Sequence, residues 1–159
     1  MDEPMSKDVY HEMFFHIVWH TKESRRLIVP EMERDLHDII RRRALEPGGV
    51  FVHAIGGTEW HVHMVARTFP GLDVPEWIGR VKGGSSHDIN ATERWRKSMD
   101  WQSGYGIVTF GMGNLDWVVE YVRNQKEHHR TGKLYDRLER FAPEEESGSS
   151  QESKPPEGG

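Results

Sequence analysis

Two short patterns in this 159-residue chain place side chains where they could do chemistry together. In the stretch TEWHVHMVA, residues 58–66, apolar and polar residues alternate, and residues two apart in an extended strand leave from the same face. His61 and His63 therefore project together, while Val62, Met64 and Trp60 point to the opposite, core face. Two imidazoles on a rigid strand form a bidentate metal site and leave open positions on a divalent cation, which can polarise a phosphoryl oxygen. Far along the chain, Tyr121 and Gln125 stand four residues apart and share a helix face. A tyrosine attacking a phosphodiester gives a covalent phosphotyrosine, which conserves the bond energy for a later rejoining step. Both patterns also have plainer counterparts. The first fits a half-buried strand that carries two of the ten histidines, and the second fits a tyrosine partly buried in the core.

The elements that must position these residues can be read in order. Met13 to His20 (MFFHIVWH) is rich in aromatic and branched residues and predicts a central strand. Pro30 opens a helix in which Met32, Leu36, Ile39, Ile40 and Ala44 recur at helical spacing until Pro47-Gly48-Gly49 stops it. Val50 to Ile55 predicts a second strand, Gly56-Gly57 a turn, and Trp60 to Arg67 the third strand of a hairpin. Val74, Trp77, Ile78 and Val81 begin another helix that runs to Ile89 despite Gly83-Gly84. Gly106 to Phe110 predicts the fourth strand. The order is that of a ferredoxin-like βαββαβ sandwich, an antiparallel sheet with helices on one face and the other face open. A further C-terminal helix, capped by Asn114 or Asp116 and striped with Leu115, Val118, Val119 and Val122, carries Tyr121 and runs on into His128, His129 and Arg130.

Composition sets the frame. The length fits one domain, read as residues 13–141 with a polar lead-in (1–12) and a tail (142–159) whose Pro, Ser, Gly and Glu content predicts disorder. Of the net charge of -5, the tail supplies most through five glutamates against one lysine, leaving the domain near -1. That balance excludes a generic basic nucleic-acid binder, so phosphate contact requires a local patch or a metal. The absence of cysteine excludes disulfides and thiolate metal sites. No segment has the character of a secretory signal or a membrane span, and the expected location is the cytoplasm.

Several blocks, taken together, resemble the small tyrosine transposases of bacterial insertion sequences, single-strand nucleases of the HUH superfamily with one catalytic tyrosine, and particularly their REP-associated relatives. The blocks are FFHIVWHTK, GGTEWHVHMVA, VKGGSSHDIN, WQSGYG and YVRNQKEHH, in the family's order, and they cover residues 14–129. The resemblance implies that His61, His63 and Gln125 bind Mg²⁺ or Mn²⁺ and that Tyr121 is the nucleophile. It implies a ferredoxin-like fold working as a homodimer on hairpin-forming single-stranded DNA, with a 5′-phosphotyrosine intermediate. The sequence departs from the pattern at Trp60, where many relatives carry Asp or Asn before the first histidine. Polar support for the metal ligands from that position would be lost.

Other residues carry two readings each. Arg25, Arg26, Lys82, Ser85 and Ser86 could contact DNA phosphates or sit in solvated turns. Trp95 and Trp101 could stack on bases or pack, Tyr105 is assigned to packing or strand entry, and His128 and His129 could ligate metal or serve a helix end. The alternative to a nuclease is a catalytically inactive nucleic-acid-binding module of the same fold. A metal-binding interaction domain without nucleic acid is the third reading.

Overall fold

The structure, a computed structural model, describes residues 9–141. The predicted order of elements is found: β1 Met13–His20, α1 Pro30–Leu45, β2 Phe51–Gly57, β3 His61–Thr68, α2 Val74–Ala91 and β4 Gly106–Phe110. They are followed by α3 Leu115–Arg123, α4 Gln125–Thr131 and a short α5 Asp136–Glu139. The four strands are antiparallel in the order β2-β3-β1-β4, the ferredoxin-like arrangement. The lead-in before Val9 and the acidic tail 142–159 lie outside the described residues. No helix among the described residues is long and apolar enough to cross a membrane.

Period-two alternation sorts β1 and β3 into two chemically different faces. Ile17, Trp19, Val62, Met64 and Ala66 pack against Met32, Leu36, Ile39, Ile40 and Ala44 of α1 and Trp77, Ile78, Val81 and Ile89 of α2. The two helices are tied by Arg43, whose Nε and Nη2 donate to the two carboxylate oxygens of Asp88 at 2.8 and 2.7 Å. Asp73 caps α2 by accepting the Glu76 amide at 3.2 Å.

The second face is not open. Ala54 and Val65 pack against Val118, Tyr121 and Val122 of α3 and Leu138 of α5, so the C-terminal helices lie across the sheet from α1 and α2. Glycine makes this possible at two places. A Cβ on Gly56 would stand 1.9 Å from the Val122 carbonyl oxygen, and one on Gly106 would stand 1.7 Å from that of Arg140. Gly56 is therefore a strand residue required by the approach of α3, Gly57 is one whose Cβ would stand 2.1 Å from the His61 carbonyl oxygen within the hairpin, and the hairpin turns one step later, at residues 58–60. The expected single C-terminal helix breaks at Asn124, whose φ of -108° and ψ of 31° separate Tyr121 on α3 from Gln125 at the start of α4.

Candidate metal and nucleophile site

His61 and His63 leave β3 on the face covered by α3 and α5, and both are fully buried. Their Nε2 atoms converge with two partners from the C-terminal helices. His129 Nε2 lies 3.1 Å from His61 Nε2, and Glu139 Oε1 lies 3.4 Å from the Nε2 of each of His61, His63 and His129. All four donor atoms fall within 4.8 Å of one another. Tetrahedral donors about 2.0–2.2 Å from one cation lie roughly 3.3–3.6 Å apart, close to the 3.1 and 3.4 Å separations here, and the three-nitrogen, one-oxygen set suits a divalent metal. His63 Nε2 is buried without a hydrogen-bond partner, the orphaned lone pair that a cation would satisfy.

The remaining ring nitrogens are held from behind. Thr58 Oγ1 lies 2.6 Å from His61 Nδ1, and His16 Nε2, from β1, lies 2.7 Å from His63 Nδ1. Burial is the main force lowering His63 to about 4, although Glu139 opposes it. Burial likewise lowers His129, and it drives His16 well below the ordinary histidine value. These three rings are thus in the neutral form that ligates metal. Glu139 is the anion of the cluster. Burial works against its charge, but the imidazoles of His61 and His63 beside it, with a hydrogen bond from Tyr121, outweigh it and hold the carboxyl well below the usual range.

Tyr121 is 4% exposed, and its hydroxyl donates to Glu139 Oε2, the oxygen opposite the one that meets the imidazoles. The Tyr135 amide donates back to the Tyr121 oxygen at 3.0 Å. Burial first, and the Glu139 contact second, raise the phenol above its ordinary value, so Tyr121 carries its proton in this arrangement. His128 lies over the ring at 4.6 Å between centroids. Gln125, 1% exposed, approaches the cluster through its Oε1, 3.0 Å from His129 Nε2, while its amide nitrogen donates to the Tyr121 carbonyl. Tyr121, His61, His63 and Gln125 are therefore brought together within one chain.

Although alternation predicts it on the core face with Val62 and Met64, Trp60 packs on the histidine cluster instead. Its indole is nearly parallel to His61, 7° apart and 5.1 Å between centroids, and meets His129 edge-on at 5.2 Å. Arg26 lies over the same indole at 5.4 Å. Arg25 and Arg26 are both exposed. Lys82, Ser85 and Ser86 lie on α2, across the sheet. The Lys82 ammonium donates to the carbonyls of Gln102 and Gly104 at 2.8 and 2.7 Å. The buried Ser85 hydroxyl donates to Lys82 O and accepts from Trp101 Nε1, and Ser86 donates to Gly83 O. Lys82, Ser85 and Trp101 thereby fasten the segment before β4 to α2. Tyr105 packs against the α1/α2 core and Trp95 carries Arg94 on its ring, so both aromatics are used in packing.

Sequence reasoning did not single out Glu139, His16 or Thr58. Glu139 sits in a four-residue helix with no periodicity to mark it. A signal for His16 existed, because pairing β1 antiparallel to β3 with Val18 opposite His63 brings His16 onto the same face.

Comparison with known proteins gives the family of the chain and relatives of its fold. Residues 9–125 match the family described as IS200-like transposases. The chain is 22% identical over 121 residues to the ISDra2 transposase TnpA of Deinococcus radiodurans, covering 72% of this chain and 85% of that one. It is 26% identical over 124 residues to the transposase of insertion sequence element IS200 from Salmonella typhimurium, covering 75% and 80%. The fold superposes with a TM-score of 0.56 on a REP-associated tyrosine transposase solved bound to a REP hairpin, at 15% identity over 81% of this chain and 74% of that one. With the match spanning most of the domain that carries the histidine strand and the tyrosine helix, this chain belongs to the IS200-like transposase family.

Proposed function

We propose that this protein cleaves and rejoins single-stranded DNA, using Tyr121 as nucleophile and a divalent metal, Mg²⁺ or Mn²⁺, held by His61 and His63 with Gln125, His129 and Glu139 beside them. The observation that carries this reading is the shared carboxylate. One oxygen of Glu139 meets three imidazole nitrogens, and the other receives the Tyr121 hydroxyl, so nucleophile and metal ligands face a common point. When bound, the metal would polarise a phosphoryl oxygen and offset developing charge. The chain's own residues do the rest. The Tyr121 oxygen bonds to phosphorus while the bond from phosphorus to the 3′ oxygen breaks. The phenolic proton, retained until then, is released, and the 3′ oxygen takes one up. The products are a 5′-phosphotyrosine and a free 3′-hydroxyl, and reversal of the same exchange rejoins a strand.

In this reading the exposed Arg25 and Arg26 contact the DNA backbone, with Ser86 a further phosphate contact, while Lys82 and Ser85 act through the loop they hold. A hairpin-forming strand is the substrate, as the DNA bound to the structural relative supports, and two copies of the chain work together as a homodimer. The test is cleavage of hairpin-bearing single strands with Mn²⁺. His61→Ala should abolish cut product while a folded protein remains by circular dichroism. Equal cutting by both proteins would refute the ligand assignment, and binding without any cutting by the wild type would make the chain an inactive DNA-binding module.

A further inference from the structure

We propose that His16 is a positioning residue for the candidate metal centre. Its bare Nε2 accepts the Nδ1 proton of His63 and so holds His63 in the tautomer whose Nε2 lone pair faces the cluster. The inference rests on the reading of His63 as a metal ligand, to which it adds a residue from another strand.

The two ring nitrogens are 2.7 Å apart, and both side chains are buried, at 1% and 0% exposure. At that distance one nitrogen must donate and the other accept. The direction of the bond decides whether His63 can ligate at all. If His16 donates, His63 Nδ1 is bare, the ring's proton sits on Nε2, and the atom aimed at the other donors is blocked. Two observations favour the other direction. A proton on His63 Nδ1 has an acceptor at 2.7 Å, whereas one on Nε2 has its acidic neighbour, Glu139 Oε1, at 3.4 Å, beyond ordinary hydrogen-bond length. His63 Nε2 is also buried with no hydrogen-bond partner, so a proton placed there would go unsatisfied.

The contrast with His61 shows what is particular to His16. His61 Nδ1 meets the Thr58 hydroxyl at 2.6 Å, and a hydroxyl rotates to donate or accept as required. A buried imidazole does not rotate in this way, so His16 imposes a tautomer where Thr58 only tolerates one. The strand register supplies the rigidity: Val18 pairs with His63 and His16 with Val65, so the two rings meet diagonally across adjacent central strands.

The direct test uses the full-length wild type freed of metal by EDTA, with long-range ¹H–¹⁵N NMR reporting which nitrogen of each imidazole carries the proton. The expected result is a proton on Nδ1 and none on Nε2 in both His16 and His63. A proton on His16 Nε2 would overturn the proposal without any variant having to fold. Titration calorimetry with Mn²⁺ then separates this inference from the one beneath it. His16→Leu, which has no acceptor, should bind Mn²⁺ about 10–100-fold more weakly. His16→Gln, whose carbonyl oxygen can accept from His63, should restore much of the affinity. If His63→Ala weakens Mn²⁺ binding and a folded His16→Leu does not, the role of His16 is refuted and the metal site stands. If neither variant changes the affinity, the metal reading fails and this inference falls with it.

Discussion

The two faces of the sheet are built from alternate residues of the same strands, yet they hold together by different forces. Ile17, Trp19, Val62 and Met64 pack in an apolar cluster with residues of α1 and α2. One residue away along each strand, His16, His61 and His63 meet one another, Glu139 and Tyr121 beneath α3 and α5. The first face is held by removal of apolar surface from water, and the second buries polar groups whose mutual satisfaction depends on protons or a cation. The lesson is that one strand can carry a rigid core and a buried polar cluster back to back, with the core fixing the strand from which the imidazoles project.

This contrast can be broken from either side. The largest change in stability is expected on the apolar face. Met64→Ala should cost about 2–5 kcal/mol, because a fully buried side chain is removed where helices and sheet cannot collapse around the gap. Urea unfolding measures it, and a loss below about 1 kcal/mol would show that this face is not the stabilising one.

On the histidine face the sensitive variable is pH. In metal-free protein, burial lowers His63 and His20 to about 4, whereas the unfolded chain takes up these protons near 6.5. Between those values the unfolded state binds more protons, so stability must fall as pH drops through the window and level off below it. Glu139, held well below the usual carboxylate range by His61 and His63 against the cost of burial, acts in the same direction. Its contribution is present above that range and lost further into acid. A urea midpoint in EDTA that stays flat from pH 6.5 to 4 would contradict this, and His63→Asn should make the dependence shallower.

The smallest effect is expected at the surface. Arg26→Ala leaves both faces intact and should reduce the salt dependence of DNA binding by about one phosphate contact, with little change in stability. An unchanged salt slope would remove Arg26 from the DNA-binding surface and leave it as a partner of the Trp60 ring.

These regions also differ in how far the sequence disclosed them. The α1/α2 face was readable because Met32, Leu36, Ile39 and Ile40 repeat at helical spacing and Val62 and Met64 alternate with the histidines. His61, His63, Tyr121 and Gln125, which the structure brings together, were singled out by residue type, short-range spacing and the family resemblance. The glycine pair at 56–57 read as a turn because the reason for Gly56 is the carbonyl of Val122, a contact 66 residues away that no local pattern records. Glu139 was hidden for the same reason. Its helix has a single turn, and its position is fixed by the approach of the chain to Gly106. The break at Asn124 leaves Tyr121 and Gln125 near each other across a joint rather than on one continuous helix. The second face is assembled from distant pieces, and local periodicity carries no information about such assembly.

The central claim is that the buried phenol hydrogen-bonded to Glu139 is the attacking group. It is tested most directly by trapping the protein on a hairpin-bearing single strand with Mn²⁺ and mapping the adduct by mass spectrometry. The account predicts DNA joined through its 5′-phosphate to Tyr121, no adduct with Tyr121→Phe although DNA is still bound, and an undiminished adduct with Tyr105→Phe. DNA found on Tyr105, or strands cut with no tyrosine modified, would contradict it.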